Sequence, residues 1–220
     1  MKWLFQSLNS SIGKKIMMGL TGLFLIIFLT GHLSGNFALF ANDGGESFNN
    51  YAKFLKSLPG LKFIEIGLAV IFILHACNGI WLYIQNKKAK PIGYAVNASS
   101  KNSTFSSRTM AVTGSITFAF LVIHLRNFWY EYVIVKSSDN LYEIVVETLS
   151  DPIYGTFYII AMLVLGFHLN HGFQSAFQTF GWNHKKYTPI VNFLGKFYTV
   201  LITLGFISMP VYFLFFYGGN

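Results

Sequence analysis

The sequence predicts an all-α membrane protein with five transmembrane helices, and its composition and apolar patterning carry that prediction. Hydrophobic residues make up 53% of the 220 residues and charged residues only 11%, whereas soluble domains are about 25% charged. The mean hydropathy of +0.49 agrees with this class. Five apolar runs each reach the length of about 20 residues that a helix needs to cross a bilayer. A water-soluble single domain is therefore excluded, and residues 1–220 are expected to form one transmembrane domain.

The five predicted spans are separated by short polar loops. Lys14 and Lys15 precede the first span, which is too long for a signal peptide and has no small-residue cleavage site after it. We therefore expect a retained helix there. The other four are also long enough to cross the bilayer with some tilt. The predicted spans cover residues 16–40, 61–85, 109–135, 153–180 and 189–217.

The charged residues are divided unequally between the two sides that five spans create. One side holds eleven of the sixteen Lys and Arg residues and none of the eight Asp and Glu residues. Because Lys and Arg in short loops stay on the cytoplasmic side, we expect a cytoplasmic N-terminus. The eleven are Lys2, Lys14, Lys15, Lys87, Lys88, Lys90, Lys101, Arg108, Lys185, Lys186 and Lys196.

Two further stretches are typical of segments that lie along the membrane surface. Residues 45–59 place apolar side chains three and four residues apart, as on a surface helix that Pro59 ends. Anchoring explains this stretch, and the alternative is a roof over a lipophilic ligand. A smaller counterpart at the inner surface is predicted from Trp3, Leu4, Phe5 and Leu8.

Histidines are concentrated in the spans, and the first four spans each contain at least one. An ionisable side chain at membrane depth is costly and faces the bundle interior. A single one is often only a hydrogen-bonding group between helices, but one on each of four helices indicates a shared site. The five are His32, His75, His124, His168 and His171, while His184 lies in a basic loop as an expected ordinary exposed side chain.

Haem is the cofactor that fits this set best. Zinc, copper and proton-relay sites usually add Cys, Asp or Glu, of which the spans hold almost none. A porphyrin takes two axial ligands from the protein, commonly histidines, so four histidines indicate two bis-histidine haems within the first four helices. No Cys-x-x-Cys-His motif occurs, which indicates non-covalent haem b. The single cysteine, Cys77, excludes a disulfide framework and an iron–sulfur cluster held by this chain alone.

Depth in the membrane predicts how the histidines pair. His32 and His124 each lie about 25 Å beyond the inner charges that precede their helices, in the outer half. His168 lies about 25 Å beyond the outer charges, in the inner half, and His75 is nearer the middle. We therefore pair His32 with His124 at the outer level and His75 with His168 at the inner level.

A shared glycine supports the inner pair. Gly79 and Gly172 follow His75 and His168 by four residues, on the same helix face, where they leave room for a flat macrocycle. His171 competes with His168 as a ligand by position, but the glycine spacing favours His168. We expect His171 to hydrogen-bond a propionate or a neighbouring helix.

Three motifs resemble the single-chain, five-helix, dihaem cytochrome b membrane anchor of succinate:quinone oxidoreductases, the succinate dehydrogenases and fumarate reductases. The resemblance covers about residues 20–180 and implies the same histidine pairing. Residues 168–178, HLNHGFQSAFQ, look most like the Bacteroidetes branch. Some members carry a glutamate linked to proton transfer where this chain has Gly166, so a proton path through that residue is not expected. The motifs are Phe48-Asn49-x-x-Ala52-x-Phe54-x-x-Ser57-Leu58-Pro59 followed by Glu65, His75-Ala76-x-x-Gly79, and Phe167-His168-x-x-x-Gly172.

The resemblance implies an electron relay between quinone and a cytoplasmic head made of a flavoprotein subunit and an iron–sulfur subunit. Neither active site of that head is in this chain, which has no Gly-rich dinucleotide fingerprint and no cluster cysteines. The inner haem would exchange electrons with the head and the outer haem with quinone, by resemblance menaquinone, beneath residues 45–59. Candidate quinone contacts are Asn36, Asn49 and Glu65. The expected location is the inner membrane of a bacterium, with the lipid bilayer and no nucleic acid as partner.

Two other functions stay open from the sequence. The chain could be the cytochrome b subunit of another membrane dehydrogenase, such as a hydrogenase or formate dehydrogenase, which co-purifying subunits would reveal. It could also be a transporter with histidine-lined helices. The sequence lacks the paired Gly/Pro-broken helices that many transporters have.

Overall fold

The computed structural model describes residues 6, 10–89, 105–182 and 184–218. All regular structure in these ranges is helical, and five helices are long and apolar enough to cross a membrane, which confirms the predicted fold class. The segment predicted from Trp3, Leu4, Phe5 and Leu8 lies outside the described residues. The helices are α1 Ser11–Asn36, α2 Glu46–Ser57, α3 Leu61–Lys88, α4 Phe105–His124, α5 Leu141–Ser150, α6 Pro152–Thr179 and α7 Thr188–Phe215.

The two sides of the bundle are distinguished by α1. We call the side where α1 begins the N-terminal side and the opposite one the far side. The membrane-length helices are α1, α3, α4, α6 and α7, and they alternate in direction along the chain. The two short helices, α2 and α5, belong to the far-side connections and contact each other.

Side-chain caps mark where α1 and α6 begin, and both helices start before the residue predicted from the apolar runs. The Ser10 hydroxyl accepts a hydrogen bond from the Gly13 amide at 3.0 Å, so α1 begins at Ser11 rather than at residue 16. The Asp151 carboxylate accepts hydrogen bonds from the first amides of α6 at 2.9 and 2.8 Å. Pro152 occupies the first helical position, where its missing N–H costs nothing. Apolar runs do not report such caps, which explains the differences.

Helix α2 forms where the amphipathic pattern predicts a helix. It begins after Gly45, whose φ of 90° is a left-handed conformation that glycine adopts without strain. The Asp43 carboxylate accepts hydrogen bonds from the amides of Gly45 and Ser47 at 3.0 and 2.9 Å. Hydrogen bonds from the side chain and backbone of Ser47 lower the pKa of this carboxyl group. The helix ends at Ser57, before Pro59.

Helix α5 is an element that the sequence pattern does not predict, since residues 136–152 read as a polar loop. The Asn140 side chain caps it by accepting a hydrogen bond from the Glu143 amide at 3.4 Å. Four of its ten residues are buried against α6, α7 and α2, namely Tyr142, Ile144, Val145 and Leu149. Tertiary packing therefore stabilises a helix that is too short to be stable by itself.

The third membrane helix changes its winding within the span. Directly after His124 the α-helix becomes a π-helix over Leu125–Val135, and Lys136 ends it in a left-handed conformation with φ of 56°. A π-helix is rare and occurs often at functional sites. Here it turns the Asn127 side chain into the bundle, where only 4% of the residue is exposed. The sequence did not predict this change.

Helix packing leaves α3 at the edge of the bundle. Helices α6 and α7 pack along each other, and α6 also contacts α1 and α4. Helix α3 contacts α1 and α4, yet none of its residues is buried. The four histidine-bearing helices α1, α3, α4 and α6 are therefore neighbours, and α7 supports them from the α6 side. The largest group of buried residues joins the far-side helices to α6 and α7, including Tyr142, Tyr158, Ile202, Phe206 and Phe213.

Candidate functional site

His32 and His124 face each other near the far side of the bundle. His32 lies one helical turn before the end of α1, and His124 is the last α-helical residue before the π-helix. Their ring centroids are 5.8 Å apart and their planes cross at 87°. The structure therefore brings together the two histidines that the sequence pairs at one level.

Aromatic rings surround this first pair. Phe28 stacks on His32 with centroids 5.3 Å apart and an interplanar angle of 16°, and Phe206 of α7 lies 5.7 Å from the same ring. On the other side, Phe120 and Phe128 lie 5.6 and 5.1 Å from His124. Such contacts fix ring positions in an apolar environment and keep water away.

His75 and His168 face each other nearer the N-terminal side. They belong to α3 and α6, their centroids are 6.3 Å apart, and their planes cross at 77°. Glycines of the two other helices lie against these rings. A Cβ atom at Gly22 of α1 would be 3.4 Å from His75 Cε1, and one at Gly114 of α4 would be 3.2 Å from His168 Cε1.

The two pairs lie one above the other across the bundle. Gly22 and His32 are ten residues apart on α1, and Gly114 and His124 are ten residues apart on α4. Because each glycine touches the second pair and each histidine belongs to the first, the levels are separated by about 15 Å along the helix axes. The arrangement is two stacked sites that share the same four helices.

The Nδ1 atoms of the four rings have different surroundings. His75 Nδ1 lies 3.0 Å from the Thr21 hydroxyl, and His32 Nδ1 lies 3.5 Å from the Asn36 amide nitrogen. The Nδ1 atoms of His124 and His168 are buried without a hydrogen-bond partner among the described residues. An unpartnered buried nitrogen is costly, so the fold by itself leaves these two rings less well satisfied than that of His75.

Each pair fits a metal ion between two imidazoles. An imidazole nitrogen binds a first-row metal ion at about 2 Å, so two rings on opposite sides of one ion have centroids roughly 6 Å apart. The observed separations are 5.8 and 6.3 Å. Within the described parts of the chain, no three His, Cys, Asp or Glu side chains form a metal cluster. Two-ligand sites suit a metal whose other ligands come from a macrocycle, as in haem.

The remaining histidines lie outside these pairs. His184 is exposed, as the sequence predicts, and its Nδ1 accepts a hydrogen bond from the Lys186 amide at 3.2 Å. His171 is half-buried on α6, one turn beyond His168. The ring that faces His75 is that of His168.

Two of the three candidate quinone contacts are engaged elsewhere. Asn49 donates to Asn140 Oδ1 at 2.6 Å and accepts from the Tyr142 amide at 3.1 Å, so it links α2 to α5. Glu65 forms an exposed ion pair with Lys62 at 2.8 Å. Asn36 remains beside a histidine, with its amide nitrogen 2.7 Å from the His32 carbonyl oxygen.

The glycines beside the second pair were missed by sequence reasoning, which singled out two others. At Gly172 a Cβ atom would meet nothing within 4 Å, and at Gly79 it would lie 3.3 Å from Met18 Cε. A repeat could have found the glycines that touch the second pair, because Gly22 and Gly114 each follow a threonine and each lie ten residues before a paired histidine. The repeated dipeptide marks the same level on two parallel helices.

Position 166 is filled by helix packing. A Cβ atom at Gly166 would lie 2.5 Å from the Thr203 hydroxyl oxygen of α7, and Gly166 is buried. A glutamate does not fit between these helices without separating them.

Comparisons with known proteins point to one class. A family model described as the succinate dehydrogenase/fumarate reductase transmembrane subunit matches residues 14–100. The succinate dehydrogenase cytochrome b558 subunit of Bacillus subtilis (strain 168) is 28% identical over 194 residues, which cover 86% of this chain and 89% of that protein. No solved structure matches the chain. Both similarities are to subunits of succinate dehydrogenases or fumarate reductases.

Proposed function

We propose that this chain is the membrane-anchor cytochrome b subunit of a succinate dehydrogenase or fumarate reductase. The observation that carries the proposal is the stacking of two imidazole pairs, at 5.8 and 6.3 Å, within one bundle of apolar helices. The similarity to a cytochrome b558 subunit supports the same function. A five-helix, dihaem anchor of the Bacteroidetes type is the specific form that we propose.

The residues that hold the cofactors are the four paired histidines. His32 and His124 would ligate one haem b, and His75 and His168 the other. When bound, haem supplies one-electron redox chemistry, so two stacked haems suit a relay of electrons across the membrane. The protein orients the rings, encloses His32 and His124 with aromatic side chains, and brings glycines of α1 and α4 against His75 and His168.

We propose that the N-terminal side faces the cytoplasm. Every acidic residue of the chain belongs to the far side, whereas the predicted inner loops carry only Lys and Arg. A flavoprotein subunit and an iron–sulfur subunit would dock on this basic side, next to the His75–His168 level. The membrane is then the inner membrane of a bacterium.

Quinone, which we propose to be menaquinone, would react on the far side, near the His32–His124 level. Helix α2 covers this end of α1, since the ring of Tyr51 packs against Gly35. Asn36 lies on the same turn of α1, and its amide nitrogen is 3.5 Å from His32 Nδ1. It is our candidate for the contact to a quinone carbonyl.

Purification with spectroscopy tests the proposal. The complex purified through this chain should contain a flavoprotein and an iron–sulfur subunit, and about two b-type haems per chain by the pyridine haemochrome assay. Its reduced spectrum should be that of low-spin haem. A colourless protein would refute the haem assignment, and co-purification with a hydrogenase or formate dehydrogenase subunit would refute the assigned complex.

A further inference from the structure

We propose that Thr21 is a positioning residue that fixes which nitrogen of His75 is free to bind iron. This inference rests on the proposed function, because it needs a haem between His75 and His168. The Thr21 hydroxyl lies 3.0 Å from His75 Nδ1. The two residues belong to different helices, α1 and α3, so the contact is a tertiary one.

The hydrogen-bond partners of Thr21 assign the direction of this contact. A hydroxyl group has one proton to donate and two lone pairs to accept with. The Thr21 proton points toward backbone carbonyls of its own helix, since Met17 O lies at 2.8 Å and Met18 O at 3.2 Å. Toward His75 the hydroxyl oxygen is therefore an acceptor, and His75 Nδ1 carries the proton.

This assignment decides the chemistry of the other ring nitrogen. A neutral imidazole with its proton on Nδ1 has an unprotonated Nε2, which is the form that binds a metal ion. Gly22 adjoins Thr21 and lets the α1 backbone approach the Cε1 edge of the same ring, at 3.4 Å from the position of a Cβ atom. One turn of α1 thus orients the ring and selects its tautomer.

The partner ring lacks this support. Thr113 stands before Gly114 on α4 as Thr21 stands before Gly22 on α1, and both threonines are buried, with 8% and 6% exposed. The Thr113 hydroxyl donates to Met110 O at 3.2 Å, and His168 Nδ1 is buried without a hydrogen-bond partner in the described part of the chain. The hydrogen bond therefore acts on one of the two ligands.

The expected consequence is electronic. An acceptor on Nδ1–H increases the electron donation of the ligating nitrogen and stabilises the ferric state. Replacing Thr21 by valine keeps the shape but removes the acceptor, so the midpoint potential of one haem should rise. The potential of the other haem should not change. Thr21→Ser keeps the hydroxyl and should restore the wild-type value.

Potentiometry of the purified complex, followed at the haem α-band, tests this inference. Thr199→Val is the matched control, because Thr199 is 9% exposed and its hydroxyl donates to Gly195 O at 2.8 Å. It loses the same kind of helix bond as Thr21→Val, but on α7, which carries none of the paired histidines. Both potentials of this control should equal those of the wild type.

Each outcome decides the question. A rise confined to one haem in Thr21→Val, reversed in Thr21→Ser, supports the inference. Unchanged potentials in Thr21→Val, or equal shifts of both haems, overturn it. If Thr21→Val loses one haem, the serine variant decides, because recovery assigns the effect to the hydroxyl and failure assigns it to packing. Wild-type complex without two low-spin haems would instead refute the proposed function.

Discussion

The two histidine pairs have the same ligand chemistry in different surroundings. Aromatic rings such as Phe28 and Phe206 enclose His32 and His124, whereas glycines of neighbouring helices lie against His75 and His168. Rings hold a histidine through many weak contacts, and glycines hold it by bringing a helix backbone close. The first pair should therefore be sensitive to loss of a ring, and the second to addition of a methyl group.

Removal of one paired histidine should have the largest effect, because it should cost the protein one whole haem. His168→Ala takes one of two axial ligands from the second pair, so the haem content should fall from about two to one per chain, with the first pair retained. His124→Ala should remove the other haem. The pyridine haemochrome assay and the reduced spectrum measure both.

His171→Ala is the control for ligand assignment. It lies three residues from His168 on the same helix, and both haems should remain. Loss of a haem in His171→Ala but not in His168→Ala would reverse the assignment of the α6 ligand.

Removal of the Phe206 ring should weaken only the site of the first pair. Phe206 is 9% exposed and its ring lies 5.7 Å from that of His32, so Phe206→Ala should leave a cavity and lower the free energy of unfolding by about 3–5 kcal/mol. Thermal unfolding in detergent measures the loss, and the haem spectrum should change for one haem. Phe193→Ala on the same helix, at a position that is 67% exposed, should change neither.

An added methyl group should disturb the second pair in turn. A Cβ atom at Gly114 would lie 3.2 Å from His168 Cε1, so Gly114→Ala should displace the ring at a cost of about 1–3 kcal/mol. The occupancy or potential of the His75–His168 haem should change, and that of the other should not. Gly31→Ala is the control, because a Cβ atom there meets nothing within 4 Å, although Gly31 adjoins His32. An equal effect of both substitutions would show that the close approach of Gly114 to His168 is not what holds this ring.

Sequence patterns predicted the membrane helices and the histidine pairs, but not every residue that surrounds those pairs. Apolar runs predicted the five membrane helices, because hydrophobic length is a property of each segment by itself. Depth along each helix placed His32 with His124 and His75 with His168, since rise per residue is constant. The contact between Phe206 and His32 could not be predicted. Phe206 lies on α7, and the periodicity of one helix does not show which other helix packs beside it.

The far-side elements show the same limit. Helix α5 depends on burial of Tyr142 and Leu149 against other helices, and the π-helix begins within an apolar run that has no breaker residue. Asn49 was a candidate for ligand binding because it is polar and lies over the far end of the bundle. Its two hydrogen bonds to α5 are visible only when both connections are folded.

Asn49→Ala should therefore have the smallest effect, confined to the far side. The substitution removes the hydrogen bond to Asn140 and leaves the Tyr142 amide without its acceptor, at a cost of about 1–3 kcal/mol. Helix α2 should detach more readily from α5, which limited proteolysis of the far-side connections in detergent would measure. Asn50→Ala changes an exposed neighbour on the same helix and should leave the cleavage rate as in the wild type. Because α2 covers the His32–His124 end of the bundle, the substitution should alter that haem first. A change in the haem at the His75–His168 level instead would show that the two sites are coupled, although different residues surround them.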